Sequence, residues 1–422
     1  MRHEIGGWSG VLALTVVMAA VAGCDSLLEV DLPGQVPEGV LDDPGLAVTL
    51  VNGVIADFEC AYNNYTFGSS AHSDEYIPSS GNLVQRTWST RNISSSFANY
   101  VSGTCSGNGF GLWTTLHTAR FQAEDAFERL SSFPDSEVED KTAKLATVSA
   151  YAGYAYTLFG EGFCEVRFDG GPVAQPAASL ATADERFTRA IDLAQQAGDQ
   201  DILNMALVGR ARARLDAGDL SGAILDAEQV PDGFVKMAER DGPALSLDRR
   251  WNKGFEFFVS TGHHSVAPGF RGLEWKGIPD PRVPVEDAGR LGHDGTTPVW
   301  ITTKYPERTT DIELATWTEA QLIIAEASTR SGDDARAVAI INDLHVRAGL
   351  PPFDPVADVV AGPTANNVLN MVLLERSREL FQEGGHRLND MLRYDIPFFT
   401  GNDPIGQPYG TATCYPFPDV EK

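Results

Sequence analysis

The sequence predicts a mainly α-helical protein, built on a tetratricopeptide-like scaffold of helical hairpins with an irregular insertion of loops and short strands. Two stretches, about 183–229 and 312–347, carry the same pattern of small and apolar residues around a glycine-containing turn. The small residues let two antiparallel helices pack closely, and Gly218-Asp219 or Gly332-Asp333 forms the turn. Repetition of one hairpin indicates an α-solenoid, because no heptad pattern runs long enough for the alternative, a coiled coil.

Three more helices are predicted before the first hairpin, at about 44–61, 111–132 and 137–159, because apolar residues recur there at helical spacing. Between the hairpins, residues 231–311 are rich in Gly, Pro and aromatic residues and have little helical periodicity. We expect this insertion to consist of loops and short strands, where binding residues usually lie. The tail from Ile396 is again rich in Pro and Gly and should pack irregularly against the body.

The N-terminus has the features of a targeting segment. Residues 11–22 are almost wholly apolar, which is the length of a signal-peptide core and too short for a membrane span. Val21-Ala22-Gly23-Cys24 then matches a bacterial lipobox, in which the cysteine is lipidated. The predicted organisation is a signal peptide over 1–23, lipidation at Cys24, a lipidated tether over 24–43 and a helical domain over 44–422.

The charge balance excludes some partners. The 422 residues include 32 Lys and Arg against 58 Asp and Glu, a formal net charge of −26. Nucleic acid is disfavoured because the chain has no basic field to displace phosphate counterions. Wide contact with an anionic membrane surface is disfavoured for the same reason. A neutral ligand such as an oligosaccharide suits this surface better than an anion.

Four cysteines follow the lipobox: Cys60, Cys105, Cys164 and Cys414. In an exported protein such cysteines are expected to form disulfides. Four cysteines permit three pairings, and the sequence does not choose among them. We take Cys60–Cys105 with Cys164–Cys414 as a working prediction. Zinc binding and redox catalysis are not indicated, because no C-x-x-C spacing is present.

The stretch from Glu375 to Arg393 reads E-R-S-R-E-L-F-Q-E-G-G-H-R-L-N-D-M-L-R. Charges of both signs recur there at helical spacing, close beside an apolar stripe. Gly384-Gly385 should separate two helices. We predict buried ion pairs that fix the geometry of these helices, since buried charges without partners would be very costly. The alternative is an ordinary amphipathic helix with a solvated charged face.

This stretch closely resembles the hallmark E-R-x-x-E-L-x-x-E-G-x-R-x-x-D-L-x-R of the SusD/RagB-like outer-membrane nutrient-uptake lipoproteins. Three other stretches resemble the family in its own order: Ser73-Asp74-Glu75, the aromatic helix ending at Gly160, and Ala325-Glu326-Ala327 followed by 341–351. The lipobox fits as well. The departures are His345 in place of an Arg, Gly385 as an extra residue, and Leu388-Asn389 in place of an aromatic pair.

The resemblance implies a lipid-anchored protein on the outer surface of the outer membrane. Such a protein captures a nutrient, often a glycan, and passes it to a TonB-dependent, SusC-like transporter without covalent chemistry. The family's ligand site lies mostly after Ser73-Asp74-Glu75 and in the insertion between the hairpins.

Sugars need aromatic faces for their apolar C–H surfaces and planar polar groups for their hydroxyls. The predicted ligand-binding residues that offer this mixture are Tyr76, Asn82, Arg86, Trp88, Arg91, Asn92, Trp275 and Trp300. The alternative for each aromatic residue is packing in the core, to which we assign Trp113 and Trp317. Asp74 and Glu75 are expected to be structural.

No motif for catalysis, a cofactor or a metal is present. The chain lacks G-x-S-x-G, a P-loop and H-E-x-x-H, and adjacent histidines such as His263-His264 rarely ligate one metal. We therefore expect no catalytic residue, no cofactor and no metal. Two alternatives stay open. One is a secreted glycan-active hydrolase, since a chain with 58 acids has enough carboxylates to form the pair that this chemistry needs, although nothing in the sequence singles out a pair. The other is a helical-repeat adaptor that binds only proteins.

Overall fold

The structure, a computed structural model, describes residues 38–107, 109–241 and 248–422. The predicted signal peptide, Cys24 and the tether up to residue 37 lie outside the described residues. The chain divides into two compact units, Met1–Asp43 and Pro44–Lys422. The described part of the first unit contains a 3-10 helix, Glu38–Asp42.

The second unit is mainly helical, which confirms the predicted fold class. Its α-helices are α1 (Ala47–His72), α2 (Leu83–Ser89), α3 (Ala98–Ser102), α4 (Trp113–Ser132), α5 (Lys141–Gly162), α6 (Pro176–Ala197), α7 (Gln200–Ala217), α8 (Leu220–Ala227), α9 (Trp317–Arg330), α10 (Asp334–Ala348), α11 (Asn367–Glu379) and α12 (His386–Arg393). A π-helical turn at Phe255–Ser260 and short 3-10 helices interrupt the loops.

Helix α1 is longer than the predicted helix at 44–61. Its additional turns contain polar residues that interrupt the apolar pattern, but these residues are buried, and two of them donate hydrogen bonds to neighbouring loops. The Asn63 Nδ2 donates to the carbonyl of Trp251 at 2.9 Å, and the Asn64 Nδ2 donates to that of Gly111 at 2.7 Å. Among the described residues, Pro44–His72 is long and apolar enough to cross a membrane. Its buried C-terminal half instead packs as the core helix of a globular body.

Both predicted helical hairpins are confirmed. In the first, Gly218 ends α7 with a φ of 86°, and Asp219 caps α8 by accepting a hydrogen bond from the backbone N–H of Gly222 at 3.0 Å. In the second, Asp333 caps α10 in the same way, through the N–H of Arg336 at 3.0 Å. Helices pack closely where side chains are small: a Cβ at Gly209 would lie 2.3 Å from the ring of Phe187.

The insertion contains loops and short strands, as predicted. The strands of the second unit are β1 (Tyr76–Pro78), β2 (Val235–Ala238), β3 (His264–Val266), β4 (Glu274–Trp275), β5 (Ile278–Pro279), β6 (Val285–Leu291), β7 (Pro298–Thr302) and β8 (Ile312–Thr316). Within the described residues they form the antiparallel pairs β1–β3, β2–β8, β4–β5 and β6–β7. The β1–β3 pair brings the segment after Asp74 against the insertion, with Tyr76 opposite Val266.

The working prediction for the disulfides is confirmed. Cys60 pairs with Cys105 and Cys164 pairs with Cys414, with Cα–Cα distances of 5.7 and 5.2 Å. The second bond joins the tail to the end of α5. Next to it, the N–H of Tyr415 donates to the carbonyl of Gly162 at 2.8 Å. The tail is therefore fixed to the helical body although it has little regular structure.

Candidate functional site

The charges of the Glu375–Arg393 stretch are buried and paired, as predicted. Arg376 donates through Nε to Asp390 Oδ2 at 2.8 Å. Arg393 donates to Glu326 Oε1 at 2.5 Å and to Asp390 Oδ1 at 2.5 Å. Glu326 is fully buried in α9. These pairs therefore connect α9, α11 and α12 across the core.

Most partners of this stretch lie in other parts of the chain. Glu375 accepts from Arg282 at 3.2 Å and lies 3.1 Å from Nε2 of His345, the residue that replaces the usual Arg. Further long-range pairs include Arg378 with Asp280, Glu379 with Arg282, Glu383 with Lys304, and Arg387 with Asp74. The ion pairs thus attach the insertion and the Ser73-Asp74-Glu75 segment to the C-terminal helices.

Burial sets the pKa values of several groups in and around this network. For four carboxyl groups, burial outweighs the nearby cations and raises the pKa. The pKa of Glu75 and Glu319 is raised to about 7, and that of Asp216 and Glu383 to about 8. For Glu326 the nearby cations outweigh burial. Burial alone would raise its pKa, but Arg393 and Arg376 more than offset this and hold it at about 2. Burial also lowers the pKa of three histidines to about 3: His72, His117 and His264.

These shifts predict that stability falls on the alkaline side of neutrality. The carboxyls with raised pKa values hold protons in the folded state, so their contribution is lost as pH rises from about 4.5 to about 8. The histidines act oppositely, and their contribution is complete by about pH 6.5. The buried Lys253, whose pKa is lowered by burial to about 7, also acts oppositely and offsets part of the loss above pH 7. We expect the free energy of unfolding to drop by about 2 kcal/mol or more between about pH 6.5 and 8.5, in urea titrations.

The variant Glu383→Gln, which resembles the protonated carboxyl, should flatten this decline. The matched control is Glu128→Gln, because Glu128 is exposed on α4. An equally steep decline in the Glu383 variant would show that Glu383 does not carry a proton near neutrality.

A cleft of about 380 Å³ opens beside this network, and we call it the signature cleft. Four parts of the chain line it: the Ser73-Asp74-Glu75 segment, the insertion, helices α11 and α12 with the loop before α11, and the tail. Its lining includes Asp74, Phe270, Leu273, Ala361, Asn370, Ser377, Arg378, Arg387 and Phe399. The volume lies within the range of about 300–1,000 Å³ that is usual for small-molecule sites.

The polar groups of the signature cleft are held in place and are balanced in charge. Arg387 donates from Nε and Nη2 to the two carboxylate oxygens of Asp74, at 2.7 and 2.5 Å. Arg378 donates to Asp280 at 2.8 Å, and its Nε has no hydrogen-bond acceptor within the described residues. Since each guanidinium in the wall faces a carboxylate, the cleft suits an uncharged ligand better than an ion.

Residues 300–413 match the profile of the SusD family. The C-terminal part of the chain therefore resembles the SusD family in sequence.

Solved structures of SusD-like proteins share the fold along nearly the whole chain. A SusD homolog from Bacteroides thetaiotaomicron has a TM-score of 0.67 at 16% identity, over 92% of this chain and 97% of its own. A SusD-like carbohydrate binding protein from Bacteroides vulgatus has a TM-score of 0.66 at 17% identity, over 90% of this chain and 96% of its own. Surface glycan-binding protein A from Bacteroides uniformis has a TM-score of 0.60 at 15% identity, over 87% of this chain and 96% of its own. None of the curated proteins matches the chain in sequence.

Two of the predicted ligand-binding residues lie in the core of the protein. Tyr76 and Trp88 are fully buried. Tyr76 packs on Phe258, with ring centroids 4.2 Å apart, and Trp88 packs edge-on against Phe110 at 5.5 Å. The prediction that these two rings stack on a ligand is corrected, because no face of either ring reaches the surface. They belong to the core alternative that the sequence left open.

Three predicted polar residues hold the tail of the SusD-like fold. Arg86 pairs with Asp403, and Arg91 donates to the carbonyl of Phe399. The Asn92 side chain reaches the carbonyl of Pro408 at 3.5 Å and is otherwise exposed. Their contacts position the segment that supplies Phe399 to the signature cleft. The two arginines therefore act on the site indirectly.

The remaining three predicted residues lie in different places. Asn82 caps α2, since its Oδ1 accepts from the N–H of Val84 at 3.0 Å. Trp275 packs on the second hairpin, and its Nε1 donates to the carbonyl of Pro351 at 2.9 Å. Trp300 is half-buried on β7, where the guanidinium of Arg271 lies 5.1 Å from its ring centroid.

Most of the side chains that line the signature cleft are not among those predicted from the sequence. Phe270 and Leu273 lie in the insertion, where binding residues are expected, and Phe399 lies in the tail, for which only irregular packing is predicted. One signal was present: Phe398-Phe399 and Tyr409 make the tail unusually aromatic for a loop. Asp74 and Glu75 have the structural roles expected of them, since Glu75 accepts from the N–H of Gln382 at 3.0 Å.

Proposed function

We propose that this protein is a cell-surface lipoprotein that binds a neutral oligosaccharide in the signature cleft. The observation that carries the proposal is the combination of an apolar wall with fixed and charge-balanced polar groups. Phe270, Leu273 and Phe399 offer apolar surface to the C–H faces of a sugar, while Asn370 and the Asp74–Arg387 pair offer polar atoms to its hydroxyls. Likeness in fold to proteins described as carbohydrate binding and glycan-binding supports this choice.

Trp300 extends the proposed binding surface beyond the cleft. The short segment 269–273 connects the two, because Phe270 and Leu273 line the cleft while Arg271 contacts Trp300. Asp287 stands opposite Trp300 in the β6–β7 register. An aromatic ring beside a guanidinium and a carboxylate is the mixture that a sugar needs. Of the residues predicted from the sequence, we propose Trp300 and the exposed Asn92 as direct ligand contacts.

We propose that binding is not followed by catalysis. Glycoside hydrolysis generally uses a pair of carboxyl groups that flank the scissile bond. Among the described residues that line the signature cleft, Asp74 is the one carboxylate, and both of its oxygens accept from Arg387. Incubation of the purified protein with diverse polysaccharides should release no reducing ends. Their release would favour the hydrolase alternative.

We further propose that lipid at Cys24 anchors the protein to the outer membrane, where it works with a SusC-like TonB-dependent transporter. The lipobox and the family resemblance support this. Pull-down of the lipidated protein from detergent-solubilised outer membranes should recover a large β-barrel protein. Recovery of soluble periplasmic proteins alone would favour the adaptor alternative. A Cys24→Ala variant should leave the membrane fraction.

Filling the signature cleft should abolish glycan binding without unfolding the protein. Ala361 is exposed and lines the cleft, so the variant Ala361→Trp should place a large ring there. We expect affinity for the bound oligosaccharide to fall about tenfold or more, which is about 1.4 kcal/mol. The measurement is isothermal titration calorimetry with the best ligand from a panel of neutral oligosaccharides.

The matched control is Ala365→Trp, because Ala365 is exposed in the same loop but does not line the cleft. Both variants should unfold at the temperature of the parent protein. Equal affinity in Ala361→Trp and the parent would place the glycan elsewhere and refute the proposed site.

A further inference from the structure

A second cavity lies along helix α4, and it shares no residue with the signature cleft. It has a volume of about 480 Å³ and is lined by α4, by the turn around Asp169 and by Glu421 near the end of the chain. We call it the α4 cavity. Its lining includes Trp113, His117, Arg120, Phe121, Arg167 and Asp169. The volume alone is compatible with a small ligand.

Buried nitrogen atoms without partners surround the α4 cavity. Nε of Arg120, Nε of Arg167 and Nε2 of His117 have no hydrogen-bond partner within the described residues. Arg120 is only 3% exposed, although it lines the cavity. Both Nε–H groups are obligate donors, and a buried donor without an acceptor is costly. Because these three atoms are buried, the polar group of the cavity that a ligand hydroxyl reaches directly is the carboxylate of Asp169, whose side chain is 63% exposed beside Arg120.

The charges around the α4 cavity favour uncharged acceptors. Arg120 donates to both carboxylate oxygens of Asp169, at 2.8 and 2.6 Å. Arg167 donates to the backbone carbonyl of Glu421, and the carboxylate of Glu421 accepts from Nε1 of Trp113 at 3.1 Å. Burial keeps His117 neutral by lowering its pKa to about 3. Two guanidiniums are therefore balanced by two carboxylates, and a ligand carboxylate or phosphate would bring an uncompensated charge.

Phe121 provides an apolar surface at the same place. Its side chain lines the cavity and is 52% exposed, whereas Trp113 on the same helix is 3% exposed. An exposed ring beside fixed donors is suited to the C–H face of a sugar. Arg120, Phe121 and Asp169 also line an adjoining cavity of about 290 Å³, so the surface continues along α4 beyond one sugar unit.

We propose that the α4 cavity is a second binding site for a neutral oligosaccharide, with Phe121 stacking on one ring and the carboxylate of Asp169, held by Arg120, accepting hydrogen bonds from its hydroxyl groups. The inference does not depend on the signature cleft, because different elements build the two sites. A protein with both sites would hold a long glycan at two separate points.

The test is hydrogen–deuterium exchange of the whole protein with maltohexaose, xylohexaose and mannohexaose as probes. At least one probe should slow exchange in α4 and in the turn around Asp169. The Ala361→Trp variant, which fills the signature cleft, should keep this protection, so failure of one site is distinguished from failure of the other. Absence of protection along α4 with all three probes would overturn the proposal.

Two variants and a control identify the side chains involved. Phe121→Ala should weaken binding at α4 about three- to tenfold, as expected for loss of one stacked ring. Asp169→Asn should also weaken it; Asn tolerates the left-handed backbone at this position, where φ is 53°. Leu225→Ala, which removes an equally exposed apolar side chain from α8, should change nothing. Unchanged protection of α4 in both variants would likewise overturn the proposal.

Discussion

Glu326→Gln should lower the free energy of unfolding by about 3–5 kcal/mol, the cost of breaking a buried ion pair from one side. Glu326 is fully buried and accepts from Arg393 at 2.5 and 3.1 Å and from the hydroxyl of Tyr394 at 2.6 Å. Nε of Arg376 lies 3.4 Å from its second oxygen. Glutamine keeps the shape of the side chain but removes its charge, so Arg376 would depend on Asp390 for compensation, and Arg393 on Asp390 and Asp216.

Urea titration measures this effect, with Glu128→Gln as the control because the same chemical change occurs there at an exposed site. Combining Glu326→Gln with Arg393→Met should cost less than the sum of the two single changes, with a coupling energy of at least about 1 kcal/mol. A loss below about 1 kcal/mol in Glu326→Gln would mean that the network is solvated and contributes as little as surface pairs do.

Trp88→Ala should destabilise the protein by about 3–5 kcal/mol, as large-to-small changes in cores do. The side chain of Trp88 is fully buried. Its Nε1 donates to Asn99 Oδ1 at 3.1 Å, and its ring packs against Phe110, Tyr100 and Tyr415. The truncation would leave a cavity between α2, α3 and the tail. The folded fraction should still bind its glycan with the parent affinity.

Leu83→Ala is the matched control, because Leu83 lies on the same helix and is 71% exposed. It should change stability by less than about 0.5 kcal/mol. The two measurements are urea unfolding and glycan titration at a temperature where each variant is folded. Lost affinity with little lost stability would restore Trp88 as a ligand contact.

The helical scaffold was predictable because its information is local. Small residues, glycine turns and acidic caps recur within each hairpin, and they act on neighbours in sequence. The burial of the Glu375–Arg393 charges was predictable for the same reason, since they stand beside apolar residues. Their partners were not predictable from spacing: Arg387 pairs with Asp74, which is 313 residues away, rather than within its own helix.

The site was harder to predict, because residue type does not report exposure. Tyr76, Trp88 and Trp300 are alike in sequence as aromatic residues among polar ones, yet only Trp300 reaches the surface. Trp88 faces inwards because it stands on a short amphipathic helix that packs on the core. Phe399 could not be placed at the cleft from its own neighbourhood, since its position depends on contacts of the tail with Arg86 and Arg91.

The tail is attached at both ends of the segment that borders the signature cleft. At one end are the ion pairs of Arg393, and at the other is the disulfide between Cys164 and Cys414. Residues 394–413 thus form a loop whose ends stay in place whatever lies between them. Closing a longer loop costs little, about 0.6 kcal/mol for each doubling of length. Substitutions at Ile396 and Phe399, which line the cleft, would reshape its edge while Tyr394 and Asp403 keep their contacts with Glu326 and Arg86, so a change of glycan preference could evolve here without loss of the scaffold.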